Sequence, residues 1–304
     1  MTVSDRWVRV QTPATTANLG PGFDSLGIAL GLYNTVELRP AEAPVVEIIG
    51  EGADQLPTDE TNLAYSSACR LAAQVGHTGH WHLKQENRIP LARGLGSSSA
   101  AIVSGIVAAQ EVLGYHLDRH ESLALAAEIE GHPDNVAPAL LGGLTVCFEQ
   151  LDGSKAAVPL DAPVGLQAVL AIPDFEVSTH EARKALPEDV PLWDAVFNTG
   201  QAAAVVAMLT SGKYDRLAEA MRDRLHQPYR AHLVPGMDAL IQAAIDANAR
   251  GAALSGSGPT VVALAELDDC EPVRQAMMRA ARDTSAHWQS MILPLDNDGV
   301  RIVH

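Results

Sequence analysis

The sequence predicts an α+β protein built in two halves, and three observations carry that expectation. Its 304 residues exceed one ordinary domain, while 47% apolar residues are ample for a buried core. Strand-like and helix-like periods alternate irregularly, without the repeated βα units of a doubly wound sheet. Over residues 153–163 Gly and Pro interrupt the pattern before a new apolar strand begins, so the halves are residues 1–160 and 161–304.

Within the first half, residues 8–12 alternate as a strand, and 14–22, rich in Thr, Asn, Gly and Pro, read as a loop. Residues 32–38 and 45–49 are further strands. Residues 61–75 form a helix, with Leu63, Ala64, Ala68, Leu71 and Ala72 on one side. A strand at 81–85 precedes helices at 97–113 and 120–130, the second stopped by Gly131 and Pro133, and then a strand at 142–148. The second half reads as a strand at 166–172, helices at 193–209, 214–225 and 237–248, and β segments at 252–254 and 260–264 around a Ser-Gly-Ser-Gly-Pro turn. A helix at 271–282 and a strand at 291–295 follow. No internal repeat interrupts this order.

Charge narrows the function. Twenty-one Lys and Arg against 37 Asp and Glu leave −16, which argues against a broad nucleic-acid or anionic-membrane surface, since those need clustered cations. An anionic small molecule in a local pocket remains compatible. Cys69, Cys147 and Cys270 are odd in number and far apart, unlike a disulfide framework or a CxxC metal site, and fit a reducing cytoplasm. Residues 1–5 lack the basic start of a signal peptide, and no run approaches a membrane span, so a cytoplasmic location is expected.

The most informative segment is Pro90-Leu91-Ala92-Arg93-Gly94-Leu95-Gly96-Ser97-Ser98-Ser99-Ala100, which leads straight into an apolar helix. A Gly-Ser loop often merely turns the chain and caps a helix. Two spaced glycines and three serines at the head of a long helix instead suit phosphate, with free N–H groups and the positive dipole end directed at the anion. It is not a Walker loop, because no GxxxxGK[ST] occurs and the chain has only four lysines. In Glu130-Gly131-His132-Pro133-Asp134-Asn135, Glu130 closes a helix where the dipole disfavours a carboxylate. That position is open to two readings, a solvated surface residue or a Mg²⁺ ligand. A third segment, Leu254 to Thr260, is by itself a turn.

Together with Ala14-Thr15-Thr16-Ala17-Asn18-Leu19-Gly20-Pro21-Gly22-Phe23-Asp24, these segments resemble the GHMP kinases, a family named for galacto-, homoserine, mevalonate and phosphomevalonate kinases. The likeness runs from residue 13 to 260, and the EGHPDN and Gln227-Pro228-Tyr229-Arg230 segments resemble its homoserine-phosphorylating branch. The resemblance implies an N-terminal domain like domain 2 of ribosomal protein S5, a ferredoxin-like C-terminal domain and a groove between them. It implies transfer of the ATP γ-phosphoryl group, with Mg²⁺, to the side-chain hydroxyl of L-homoserine in threonine biosynthesis, and a homodimer at family level. By motif position, Pro90 to Ala100 would hold the ATP phosphates, Ser98 and Glu130 the Mg²⁺, and Asn62 the nucleoside. Asn18, Asp24 and His132 would meet the amino acid, and Arg183 and Arg230 its carboxylate, as guanidinium chemistry suits.

One departure bears on mechanism. Where mevalonate kinase-like members place a catalytic Asp, this chain has Asn135, which cannot accept a proton as a base. The expectation is catalysis by positioning and charge stabilisation, with Asn135 orienting the hydroxyl and adjacent Asp134 pointing elsewhere. An inert binding protein of the same fold is the alternative from another class, though it would be expected to lack some of Ser98, Glu130, Arg183 and Arg230. His77, His80 and His82 lie within six residues, yet no neighbouring Cys or carboxylate pattern completes a zinc set, so they read as surface histidines.

Overall fold

The structure, a computed structural model, describes residues 6–303. The signal-peptide expectation drawn from residues 1–5 lies outside the described residues. The first half runs β1 (Val8–Ala17), β2 (Leu26–Ala41), β3 (Val45–Gly50), α1 (Leu63–Gln74), β4 (His80–Asn87), α2 (Ser97–Leu113), α3 (Arg119–Glu130), α4 (Pro133–Leu141), β5 (Leu144–Glu149) and β6 (Lys155–Leu160). The second runs β7 (Leu166–Pro173), α5 (Thr179–Lys184), α6 (Leu192–Ser211), α7 (Leu217–Ala220), α8 (Gln227–Arg230), α9 (Met237–Asp246), β8 (Gly251–Leu254), β9 (Val261–Glu266), α10 (Cys270–Ala281), β10 (Trp288–Pro294) and β11 (Arg301–Val303).

A seven-stranded sheet is ordered β11-β1-β2-β4-β3, with β5 paired to β2 and β6 to β5; a four-stranded antiparallel sheet is ordered β10-β7-β9-β8. Apolar α2, buried on nearly every side, lies between the first sheet and its neighbours α1, α3 and α4, and Trp81, Leu83, Ile102, Ile106 and Leu123 share that core. Helices α9 and α10 cover the second sheet through Leu240, Val273 and Met277. A third cluster, including Ala14, Leu30, Leu95, Leu170 and Val262, fastens the two sheets together. Each fully buried Leu or Val there contributes about 1.5–3 kcal/mol. The chain crosses between sheets twice, at residues 161–165 and 295–300, and the crossings touch where Ala162 N–H donates to Asn297 Oδ1 at 2.7 Å.

Several expectations need correcting. The expected loop over 14–22 is strand as far as Ala17: a register shift at Pro13/Ala14 and burial of every residue from Thr12 to Ala17 remove the alternation that marks a half-exposed strand. The helix expected over 214–225 shrinks to Leu217–Ala220. Asp223 carboxylate oxygens there accept the N–H groups of Leu225, His226 and Gln227, closing a turn instead. Helices α4, α5 and α8 and strands β6 and β11 were not expected, and β11, although it belongs to residues 161–304, pairs with β1 in the first sheet. Pro133 is tolerated because it sits in the first turn of α4.

Candidate active site

A groove of about 550 Å³ runs between the halves, bordered by the β1–β2 loop, the Gly-Ser loop, the head of α4, α5 and the β8–β9 turn. Gly94 and Gly96 both hold φ of +70°, where an L side chain is strained; a Cβ on Gly94 would stand 2.2 Å from the Ser255 carbonyl oxygen, and one on Gly96 2.0 Å from Thr15 Oγ1. Gly96 is the N-cap of α2 and offers no capping side chain, so the first-turn N–H groups face the groove. Leu91, Ala92, Gly94, Leu95, Ser97 and Ser98 line this end. Ser99 and Ala100 are buried behind it, and Pro90 borders a smaller adjoining recess.

Glu130, awkward at the end of α3, proves to lie at the start of α2: its Oε1 accepts Ser98 Oγ at 2.6 Å and Ser99 Oγ at 2.9 Å. The α2 dipole offsets the unfavourable one of α3. This all-oxygen cluster fits a hard cation that completes its shell with phosphate and water. Arg93, expected on phosphate, borders the groove but has its guanidinium engaged, donating to the carbonyls of Leu91, Pro173 and Asp174 with Glu176 at 3.2 Å, which braces the loop against the second half. Asn62 lines the groove as the N-cap of α1. Its Oδ1 accepts from Ala64 and Tyr65 N–H and its Nδ2 donates to Pro57 O and Gln85 Oε1, so its bonding capacity is spent on structure.

At the opposite end, Asn18 and Asp24 adopt φ of 70° and 54°, a conformation Asn and Asp tolerate better than most. Asn18 Nδ2 donates to Gly256 O at 2.8 Å, and Asp24 N–H donates to Asn18 Oδ1 at 3.0 Å. Arg183 Nη1 and Nη2 grip Asp24 in a two-point pair at 2.9 and 2.7 Å. Arg230 is 2% exposed and held by Ala182 O, Gly256 O and His226 Nδ1. Burial, with repulsion from Arg183, brings Arg230 down to about 10. Two guanidiniums therefore flank one pocket over the Phe23 ring, with their Cζ atoms 5.5 and 5.2 Å from its centre.

Between the ends stand the α4 residues. Asn135 Oδ1 accepts from Thr15 Oγ1 at 2.7 Å. Contrary to expectation, Asp134 also borders the groove, its Oδ1 2.7 Å from His132 Nδ1. Burial opposes a charge on His132, but Asp134 and Glu130 outweigh it and raise its pKa. Sequence reasoning missed Thr15, Phe23, Asp223 and His226 as site-building residues. Fully buried His226 stacks on Phe23 and reaches Gly20 O through Nε2 at 2.6 Å, and burial lowers its pKa. The only signal was position, inside the first motif or just before Gln227. Of the clustered histidines, His82 meets Glu47 at 2.5 Å and His77 stacks on Trp81, far from the groove lining.

Residues 62–143 match the profile of the GHMP kinases N terminal domain, and residues 202–283 that of the GHMP kinases C terminal region. A homoserine kinase of Desulfitobacterium hafniense is 44% identical over 97% of this chain and 100% of its own length; one from Carboxydothermus hydrogenoformans is 47% identical over 85% of each. The crystal structure of homoserine kinase from Cytophaga hutchinsonii superposes with a TM-score of 0.89 at 31% identity, covering 100% of this chain and 99% of that one. With two family profiles on the two halves and near-full-length relatives of one kind, the chain belongs to the GHMP kinase family, on the branch of the homoserine kinases.

Proposed function

We propose that this chain transfers the γ-phosphoryl group of ATP to the side-chain hydroxyl of L-homoserine, giving O-phospho-L-homoserine for threonine biosynthesis. The observation that carries the reading is the pairing of an uncapped helix start with two convergent arginines across one groove. The first suits polyphosphate and the second an amino-acid carboxylate. Both halves, residues 1–160 and 161–304, contribute lining residues, with Asp24 of the first and Arg183 and Arg230 of the second meeting at the amino-acid end.

Each residue then has a task. The N–H groups at the head of α2 and along Gly94 to Ser98 hold the transferring phosphate, and Ser97 and Ser98 hydroxyls add donors. Ser98 and Glu130 would hold Mg²⁺, which when bound neutralises phosphate charge. Arg183 and Arg230 take the α-carboxylate, and Asp24 the α-ammonium. A zwitterion thereby replaces the internal Asp24–Arg183 pair with two pairs of its own, so little net charge is desolvated. His132 and Asn18 complete that pocket. Asn135, fixed by Thr15, presents its amide to the substrate hydroxyl. The hydroxyl oxygen bonds to the γ-phosphorus as the bond to the β,γ-bridging oxygen breaks, and its proton passes to phosphate or water. Free cysteines at 69, 147 and 270 support residence in the reducing cytoplasm. Among the described residues no helix is long and apolar enough to cross a membrane.

The test is ADP release from Mg·ATP with L-homoserine, compared with L-serine, L-threonine and mevalonate. Homoserine is expected to give the highest kcat/KM. Absence of turnover with homoserine would sink the reading, and preference for mevalonate would assign the groove to another branch of the family.

A further inference from the structure

Motif position puts the nucleoside at Asn62, yet the fold leaves that side chain nothing with which to read a base. An amide oxygen accepts two hydrogen bonds and an amide nitrogen donates two, and all four are taken, by Ala64 N–H, Tyr65 N–H, Pro57 O and Gln85 Oε1. Gln85 is buried in its turn and spends Nε2 on Asn87 Oδ1 at 2.9 Å. Nearby carbonyls are engaged as well: Leu91 O accepts from Arg93 Nη1 and Ala92 O from Val177 N–H. What remains is apolar. Leu56 and Leu91 both crowd Gly52, where a Cβ would lie 3.3 Å from Leu56 Cγ and 2.1 Å from Leu91 Cδ1. Pro57 is tied to Asn62, and so to Leu63 at the head of α1. These four side chains therefore stand together where the Gly-Ser loop begins, and all four line the groove. Among the polar groups beside them, Glu176 is paired with Arg93 Nη1 at 3.2 Å, and Thr61 gives its hydroxyl proton to Asp59 Oδ1. Exposed Gln55 is different, since its amide is engaged by no other described residue.

We propose that this pocket holds the base by apolar contact and accepts purine nucleoside triphosphates as a class, so that GTP and ITP serve as phosphoryl donors alongside ATP. The proposal rests on the kinase reading above. Adenine presents a donor at N6 beside an acceptor at N1, whereas guanine and hypoxanthine present an acceptor at O6 beside a donor at N1. A fixed reader would take one pattern and reject the other. A free glutamine amide offers donor and acceptor in either order by turning about its last torsion. Magnitude separates the two designs: a site built on hydrogen bonds rejects a mismatched analogue by about 10⁴-fold or more, and apolar contact rejects a near-isostere by about 10²-fold at most. With each donor the chemistry is the same. The homoserine hydroxyl oxygen bonds to the γ-phosphorus as the bond to the β,γ-bridging oxygen breaks, the nucleoside diphosphate leaves and the hydroxyl proton is released.

Formation of O-phospho-L-homoserine, followed directly so that the readout is common to every nucleotide, tests this at saturating L-homoserine and Mg²⁺. The kcat/KM values for ATP, GTP and ITP should agree within about a hundredfold, and a larger preference for ATP overturns the proposal. CTP and UTP, with one ring fewer to bury, should fall about tenfold or more below the purines; parity with them would place the base outside the pocket and overturn it too. Leu91→Ala should raise the KM for ATP and GTP together, by about tenfold, and move the homoserine KM less than about twofold. Asn62→Asp keeps the acceptor that caps α1 and removes both donors, so the ratio of ATP to GTP should change by less than about threefold. A larger change would make Asn62 the base reader. Displacement of N-methylanthraniloyl-ADP by ADP and by GDP reads the same preference without turnover. Turnover with ATP alone refutes this inference and keeps the kinase. No turnover with any nucleotide, with ADP and GDP displacing the probe within about a hundredfold of each other, refutes the kinase reading and keeps this one.

Discussion

His226 offers the sharpest test of how the amino-acid end is built. Its Nε2 lies 2.6 Å from the Gly20 carbonyl oxygen, and because a carbonyl only accepts, that nitrogen carries the proton. Burial lowers the pKa and keeps the ring neutral, so Nδ1, 3.3 Å from Arg230 Nη1, is an acceptor for the guanidinium. Glutamine at 226 can reach Gly20 but places no acceptor at the Nδ1 position, whereas asparagine places its Oδ1 there and cannot reach Gly20. A hydrogen bond to a charged group contributes about 1.5–3 kcal/mol, and at 3.3 Å the lower end applies, about a tenfold effect. His226→Gln should therefore raise the homoserine KM about tenfold while moving the ATP KM less than about twofold, and His226→Asn should raise the homoserine KM no more than about threefold. Both variants lose packing on Phe23, so both should melt earlier, and steady-state kinetics belong well below either Tm. Equal homoserine KM values in the two variants, or parallel shifts in both substrates' KM, would refute the positioning of Arg230 by Nδ1. The same lowered pKa makes the native state resist a proton that the unfolded chain accepts below about 6.5, so stability attributable to His226 should be lost as pH falls through that range.

Gly96→Ala combines a φ of +70° with a Cβ 2.0 Å from Thr15 Oγ1, so about 1–3 kcal/mol of stability should go, measurable as a fall in the urea midpoint at unchanged slope. Because Thr15 must shift, its bond to Asn135 fails and kcat should fall with it. His132 has the opposite linkage from His226: its folded pKa is raised, so the stability it gains from Asp134 and Glu130 is complete below about 6.5 and lost as pH rises through the folded value. His132→Gln should therefore narrow the Tm gap between pH 6 and pH 9 compared with the unaltered chain. Asp134→Asn should lower kcat by about tenfold through a disoriented His132 and leave the slope of the pH-rate profile in place; a drop of several orders of magnitude at unchanged KM would make Asp134 the base.

The parts legible in the sequence were those whose signals are local. Helix α2 begins and ends at the residues expected, 97 and 113, because a glycine cap at each end brackets an apolar run. The Gly-Ser loop likewise announced its chemistry through backbone freedom and hydroxyls within a few residues. Illegible parts depended on distance in the chain. Nothing near Glu130 says that the head of α2, 32 residues earlier, supplies the dipole and hydroxyls that accommodate its charge. Arg93 could not be seen to spend its donors on carbonyls 80 and 81 residues away, nor His226 to reach Gly20 across 206. Helix α5 was within reach: Ser178 followed three residues later by Glu181 is a capping signature, and Ser178 Oγ does accept the Glu181 N–H. Helix α4 was masked by Gly131 and Pro133, which read as stop signals although Pro133 needs no N–H at the helix start.

The two crossings between the sheets lie against each other, where Ala162 N–H donates to Asn297 Oδ1, and packed clusters such as Ala14, Leu30, Leu170 and Val262 join the sheets as well. Parting the halves would also break the bonds by which Arg93 reaches Pro173 and Asp174 and Ser255 Oγ donates to Gly94 O at 2.6 Å. Those fasteners belong to the same loop whose N–H groups face the groove. A swing wide enough to admit a nucleotide between the sheets would thus dismantle the phosphate cradle as it opened. Entry along the length of the groove leaves the cradle at the head of α2 intact.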